Sequence, residues 1–195
     1  MSFAPDITEQ LARARADLRM GVPVVLAEGA QASLILAAET LTAQRLADVL
    51  ALGGAPVLAI TARRAETLKA RAYDGNLARV LLPPGATPAW VQSIADPADD
   101  LRAPMKGPLQ TARGGDTAAH SAALDLVKAA RMLPAALVLD LPQGADFARL
   151  HGLTMIDLTA AAPILARRSA LHPVVNARLP MEVSEAGRLH IFRPE

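Results

Sequence analysis

The residue of this sequence with the strongest case for chemistry is Asp140. It stands near the end of an apolar run, Ala135 to Leu141, that is typical of a buried strand. Ligand-binding and catalytic groups of layered α/β folds often lie where strands end, and a carboxylate there can accept or donate a proton. The same position, shortly before Pro142, also suits a carboxylate that caps a turn or a helix. We favour the structural role and keep Asp140 as a candidate.

Two histidines and a glutamate are the other candidates. His120 falls in the first turns of a predicted helix, where it could contact an anion, although a satisfied packing role is the more common one. His151, directly before Gly152, is typical of a helix C-terminus, where the helix dipole favours a basic side chain. Glu28 is typical of a turn that follows a strand. None of these residues belongs to a recognisable catalytic motif.

Sequence motifs of several other sites are missing. Without cysteine the chain can form no disulfide, thiolate zinc site or cysteine nucleophile. Gly114 and Gly115 suggest a flexible turn, because neither GxxxxGK(S/T) nor GxGxxG occurs. Ser121 and Ser169 stand outside any nucleophile elbow. We therefore expect no bound cofactor and no metal.

Charge and hydropathy exclude two classes of partner. The net charge is +1, with acids and bases interspersed, whereas nucleic-acid binders usually carry a basic stripe. No apolar run approaches the roughly 20 residues of a membrane helix. The N-terminal segment, 2–17, carries three acids and lacks the apolar run of a secretory signal. We expect a soluble, cytoplasmic protein that binds neither nucleic acid nor membrane.

The elements that position these residues alternate between strands and helices. Asp6 and Glu9 predict a capping box for the first helix, which Gly21 ends. Further helices are predicted at 42–52, 62–70, 88–95, 116–133 (the longest), 145–151 and 158–168, and strands at 22–27, 33–38, 56–61, 135–141 and 154–157, with an irregular connection at 96–115. This order favours an α/β (α+β) fold with a layered mixed sheet covered by helices. We assign the domain to residues 1–170 and an extended tail to 171–195.

Several segments, taken in order, resemble the 3,4-dihydroxy-2-butanone 4-phosphate synthase family. LILAAE at 34–39 is similar to the family's DLVIAAEFVT, and GAPVLAIT at 54–61 with RAE at 64–66 is similar to GLVCLALTxxRAD. The loop 102–109 resembles RPGHVFPL, and AALDL at 122–126 resembles AAVDL. PAALV at 134–138 resembles PAGVI, and residues 147–153 resemble the end of the family's later helix. The series extends from about residue 12 to residue 160. It implies the layered α/β fold of the synthase.

The resemblance also implies that most of the family's catalytic residues are missing. The synthase uses Mg²⁺, a histidine and carboxylates to rearrange ribulose 5-phosphate and expel formate. The family's acidic loop, EDRENEGD, is replaced by EGAQAS at 28–33, which keeps only Glu28. The metal histidine of GHTEA aligns with Ala119, so His120 is displaced by about 100° around the helix and should point elsewhere. Asp140 takes the place of a glutamate and is one methylene shorter.

Three further family segments are altered. The histidine of RPGHVFPL aligns with Met105, RxGRG becomes LALGG at 50–54, and TGISA is absent or shortened. In the tail, 172–180 resembles the start of a GTP cyclohydrolase II domain, but the chain has no cysteine for the zinc site of such an enzyme.

The leading hypothesis is a catalytically degenerate riboflavin-pathway domain that dimerises or supports a cyclohydrolase II partner. The alternative is a diverged, active synthase that acts on ribulose 5-phosphate with Mg²⁺. A small-ligand sensor in the former pocket is a third possibility. We expect a homodimer in either case, because the family is dimeric.

Overall fold

The computed structural model describes residues 4–98, 100–101, 104, 106–166 and 171–194. The chain divides into two compact units, Met1–Leu165 and Ala166–Glu195. The first unit holds α1 Ile7–Arg19, β1 Val24–Glu28, β2 Gln31–Ala37, α2 Ala43–Ala51, β3 Val57–Thr61, α3 Ala62–Thr67, β4 Leu77–Leu81, α4 Pro88–Ala95, α5 Ala118–Ala129, β5 Ala135–Leu141, α6 Gly144–His151, β6 Met155–Asp157 and α7 Leu158–Leu165. The second unit holds β7 Leu171–Arg178 and β8 Arg188–Pro194.

Six strands of the first unit form one mixed sheet in the order β4-β3-β5-β2-β1-β6. Strands β1 and β2 form an antiparallel hairpin, and β6 runs parallel to β1 at the sheet edge. The other neighbouring strands are antiparallel. This mixed sheet with helices confirms the predicted fold class.

Helices cover both faces of the sheet because alternate residues of each strand point to opposite sides. One buried cluster joins Leu34, Leu36, Leu137 and Leu139 of the sheet to residues of α2, α4 and α6. The opposite cluster joins Leu26, Ile35, Ala136 and Val138 to residues of α1, α5 and α7. The result is a three-layer arrangement, and the candidates Glu28, His120 and Asp140 lie on the face covered by α1, α5 and α7.

The local signals for helix starts are confirmed in α1. The Asp6 carboxylate accepts a hydrogen bond from the backbone N–H of Glu9, and the Glu9 carboxylate accepts one from the backbone N–H of Asp6, both at 2.8 Å. Two expectations for α5 are wrong. It begins at Ala118, with Thr117 as the cap residue, and at 12 residues it is shorter than the 13-residue α1. Asp116 lies one residue before the cap and accepts a hydrogen bond from the N–H of Ala118 at 3.0 Å.

Strand β4 was not predicted. Its sequence, LARVL, places Arg79 in the middle of a short apolar run, which hides the strand pattern. In the fold Arg79 pairs in register with Ala59 of β3, and the residue is only 7 % exposed. The strand therefore depends on a buried charge that the sequence pattern did not reveal.

A buried arginine ties α3 to the C-terminal end of α4. The guanidinium of Arg64 donates hydrogen bonds to the backbone carbonyls of Ser93, Ile94 and Asp96. It also forms an ion pair with Asp100, to which the ammonium group of Lys106 bonds as well. Carbonyls at a helix C-terminus lack partners within the helix, so this arginine stabilises the end of α4.

The tail unit is extended, as the sequence predicts from Val174 onward, and it forms an antiparallel hairpin. The register runs from Leu171 opposite Pro194 to Arg178 opposite Arg188. Apolar side chains on both strands are about half exposed, among them Val175 at 53 % and Phe192 at 50 %.

Candidate functional site

A pocket of about 510 Å³ lies where the ends of β1, β2 and β5 meet the start of α5. The sequence candidates Glu28, His120 and Asp140 all line it. The sheet register explains how the strands meet there, because Ser33 of β2 is paired with both Leu26 of β1 and Asp140 of β5. The fold thus brings together three residues that are far apart in the sequence.

Asp140 is held by a neighbouring strand rather than by a turn. Its Oδ1 accepts a hydrogen bond from the Oγ of Ser33 at 2.9 Å. Ser33 is buried, at 4 % exposed, whereas Asp140 is exposed and lines the pocket. The expectation that Asp140 caps a helix is wrong, because α6 starts after Gln143 and has no side-chain cap.

His120 faces the same pocket, so the inference that it points elsewhere is wrong. Ala119 and His120 both line the pocket, because it is wide enough for consecutive helix positions to reach it. His120 is 7 % exposed, and its Nδ1 is buried with no hydrogen-bond partner. It is therefore not the satisfied packing histidine that we expected.

The pKa of His120 lies below its usual value. Burial is the main cause, because it disfavours the imidazolium form, and the nearby Arg79 guanidinium acts in the same direction. The carboxylates of Asp140, Asp74 and Asp116 oppose the shift. The lowered pKa favours the neutral form of the imidazole.

The site residue that sequence reasoning missed is Arg79. Its Nε donates to Oδ2 of Asp74 at 2.8 Å and its Nη2 to Oδ1 at 3.1 Å, and Nη2 also donates to the carbonyl of Gly114. The two side chains of the ion pair are 9 % and 7 % exposed. The only available sequence signal was a single arginine inside an otherwise apolar run bounded by loops. Its buried position requires tertiary pairing that no local pattern encodes.

The rim of the pocket carries two more carboxylates. Glu28 ends β1 at the hairpin turn, as the sequence predicts, and its side chain is exposed. Asp116 precedes α5, and both residues line the pocket. Gly115 lies beside them with φ +80, and a Cβ there would be 3.8 Å from Nη1 of Arg79. Gly114 and Gly115 thus form a turn against the arginine.

The Mg²⁺ centre implied by the synthase resemblance does not fit these side chains. Mg²⁺ requires near-octahedral oxygen ligands, usually carboxylates. Across the described residues no group of three His, Asp or Glu side chains is arranged to hold a metal ion. The Asp140 carboxylate is already bonded to Ser33.

The remaining candidates lie outside the pocket or have structural positions. His151 is the last residue of α6, before the left-handed Gly152, and its ring centroid is 4.3 Å from that of Phe147. Trp90 is partly buried against the core. Met105, Arg102 and Ser169 lie outside the described residues. In the part of the chain that the structure describes, no helix is long and apolar enough to cross a membrane.

Comparison with solved structures identifies the fold. The 3,4-dihydroxy-2-butanone 4-phosphate synthase of Candida albicans aligns with 80 % of this chain and 97 % of its own, at TM-score 0.60 and 16 % identity. A two-domain synthase from A. baumannii aligns with 94 % of this chain and 66 % of its own, at TM-score 0.58 and 15 % identity. A synthase in complex with two magnesium ions aligns with 79 % of this chain and 95 % of its own, at TM-score 0.57 and 16 % identity.

Comparison by sequence finds a relative that is named as a cyclohydrolase rather than as a synthase. A GTP cyclohydrolase-2 from Azospirillum brasilense is 30 % identical over 193 residues, which cover 93 % of this chain. The chain spans about half of that relative's length, 49 %. No family model matches the chain. The chain therefore has the fold of the synthases, and its sequence is similar to about half of a GTP cyclohydrolase-2.

Proposed function

We propose that this synthase-like domain is catalytically degenerate and supports a GTP cyclohydrolase II partner in riboflavin biosynthesis. The observation that carries the proposal is the set of groups in the pocket. Glu28, His120 and Asp140 line it, but only Glu28 is kept from the family's acidic loop, Asp140 replaces a glutamate, and His120 stands one position from the aligned histidine. A rearrangement that needs a divalent cation and several positioned carboxylates has too few ligands here.

Two features support a loss of catalysis. The histidine at the start of α5 has a buried Nδ1 with no partner, so it lacks the second hydrogen bond that normally orients a catalytic or metal-binding imidazole. The nearest cation, Arg79, is already paired with Asp74 and bonded to a backbone carbonyl. Arg79 therefore binds a substrate phosphate less readily than an unpaired arginine would.

A supporting role is consistent with the sequence relative and with the tail. The chain matches about half the length of a GTP cyclohydrolase-2. The segment 172–180 of this chain resembles the start of a cyclohydrolase II domain. The hairpin of β7 and β8 exposes apolar side chains on both strands. We infer a cytoplasmic protein in which this domain forms a homodimer and the hairpin packs against a cyclohydrolase II domain.

A diverged but active synthase is the second candidate. The convergence of Glu28, His120 and Asp140 on one pocket favours it, because such clustering is typical of an active site. In that case the Asp140 carboxylate would move the proton, and Mg²⁺ would need ligands beyond those that the described residues offer.

Formate release distinguishes the two candidates. Purified full chain is incubated with ribulose 5-phosphate and Mg²⁺, beside the C. albicans synthase as a positive control. We expect formate at the background level for this chain. Turnover that disappears in Asp140→Asn would refute the degenerate function, since Asn keeps the size of the side chain and removes its basicity.

A further inference from the structure

The pocket is acidic. Its lining contains three carboxylates, those of Glu28, Asp116 and Asp140, and one cation, Arg79. The charge of Arg79 is balanced by Asp74 at 2.8 Å, so the guanidinium adds little positive potential to the cavity. A phosphate ester would meet uncompensated carboxylates on entering and would find no free cation to offset their repulsion among the described lining residues.

A buried, unpartnered imidazole gives a second and independent indication of a ligand. His120 lines the pocket, is 7 % exposed and leaves Nδ1 without a hydrogen bond. Buried polar atoms are almost always satisfied, and exceptions call for a missing partner. A neutral imidazole has one ring nitrogen that donates a hydrogen bond and one that accepts.

Much of the remaining lining is apolar, although the polar side chains of Gln31 and Ser33 also belong to it. Leu26, Leu141 and Leu158 line the cavity together with Pro142. A volume of about 510 Å³ lies within the range of small-molecule sites. A ligand that matches these walls has a compact apolar body, and its polar end carries hydrogen-bond donors.

We propose that the pocket binds a small organic cation, with an amidinium or ammonium group directed at Asp140 and Glu28 and an apolar body against the leucines. This goes beyond the supporting role argued above, and it differs from the anionic sugar phosphate on which the related synthases act. Charge complementarity makes the pocket selective for a positively charged ligand. The hydrogen-bond donors of the cationic group face the carboxylates and the imidazole.

Three probes of almost identical shape test the sign of the charge. Benzamidine, benzamide and benzoate share a planar apolar ring and carry a cationic, a neutral and an anionic head. Their dissociation constants for the full chain are measured by NMR titration, with the ring signals of His120 as the local readout. We expect benzamidine to bind most tightly, benzamide more weakly and benzoate not at all. Added salt is expected to lower the affinity for benzamidine.

Variants locate the binding. Asp140→Asn keeps an oxygen that can accept the Ser33 hydrogen bond, and Glu28→Gln changes an exposed residue, so each removes one charge with little effect on folding. Each variant is expected to raise the dissociation constant of benzamidine about fivefold, as for the loss of a partly exposed charge pair. Asp125→Asn is the matched control, because Asp125 lies on α5 outside the pocket and pairs with Lys128.

Several results would overturn the proposal. These are the absence of saturable benzamidine binding at millimolar concentration, benzoate or inorganic phosphate binding more tightly than benzamidine, and affinities that neither pocket variant changes. None of them is a measurement of formate release, so a failure here and a failure of the degenerate function are separate outcomes.

Discussion

Replacing Arg79 with methionine tests how the floor of the pocket is built. The side chains of Arg79 and Asp74 are 9 % and 7 % exposed and are joined by two hydrogen bonds, at 2.8 and 3.1 Å. Methionine fills a similar length of space but leaves the Asp74 carboxylate buried without its cation. Removing one partner of a buried ion pair usually costs about 3–5 kcal/mol. For a chain of this size that corresponds to a fall in Tm of about 10 °C.

Two comparison variants separate the unpaired charge from the loss of packing. The double variant Arg79→Met with Asp74→Leu leaves no ion at this buried position, and it is expected to recover most of the lost stability, because replacing a buried ion pair by apolar groups often changes stability little. Lys128→Met removes a cation that is 49 % exposed, from the pair with Asp125. It is expected to change the free energy of unfolding by less than about 1 kcal/mol.

The assay is urea unfolding followed by the fluorescence of Trp90, the single tryptophan of the chain. Trp90 lies in α4, in the same compact unit as the ion pair, so its signal reports on the unit that is perturbed. Two outcomes would refute the reasoning: a loss of less than about 1 kcal/mol in Arg79→Met, or a double variant that is no more stable than the single one.

Three further predictions concern acid stability, metal and assembly. The Arg64 guanidinium, and then Lys106, hold the pKa of Asp100 well below its usual value, so the ion pair contributes stability above about pH 4 and loses it as the pH falls further. Asp100→Asn should therefore unfold more easily at pH 7 and lose less additional stability in acid, measured by thermal unfolding across pH; equal acid losses in both proteins would contradict this. Millimolar Mg²⁺ should leave the Tm unchanged, because a ligand stabilises only through occupancy of the native state, and a rise that saturates at micromolar metal would revive Glu28 and Asp140 as ligands. Light scattering should give twice the 20.4 kDa of one chain, and a mass of one chain that stays constant on tenfold concentration would rule out the dimer.

Local signals in the sequence determined much of the fold. Strand β5 has the predicted bounds, 135–141, because an unbroken apolar run between a proline and a turn has few other conformations. The Asp6–Glu9 capping box formed as expected, since its two hydrogen bonds join residues three apart. The alternation of strands and helices was sufficient for the fold class, and the resemblance in the ordered segments was sufficient for the synthase-like architecture.

Tertiary structure alone decided the site. In β4 the buried Arg79 bonds to Asp74, five residues away, and to the distant carbonyl of Gly114, and a buried charge has no periodic signature in the sequence. The direction of His120 could not be read from its offset of one position from an aligned residue, because the width of the pocket determines which helix positions reach it. The Ser33–Asp140 hydrogen bond joins residues 107 apart, and only the register of β2 against β5 brings them together. Sequence patterns report local conformation, whereas the charge and shape of this pocket arise from strands and a helix that meet only in the folded chain.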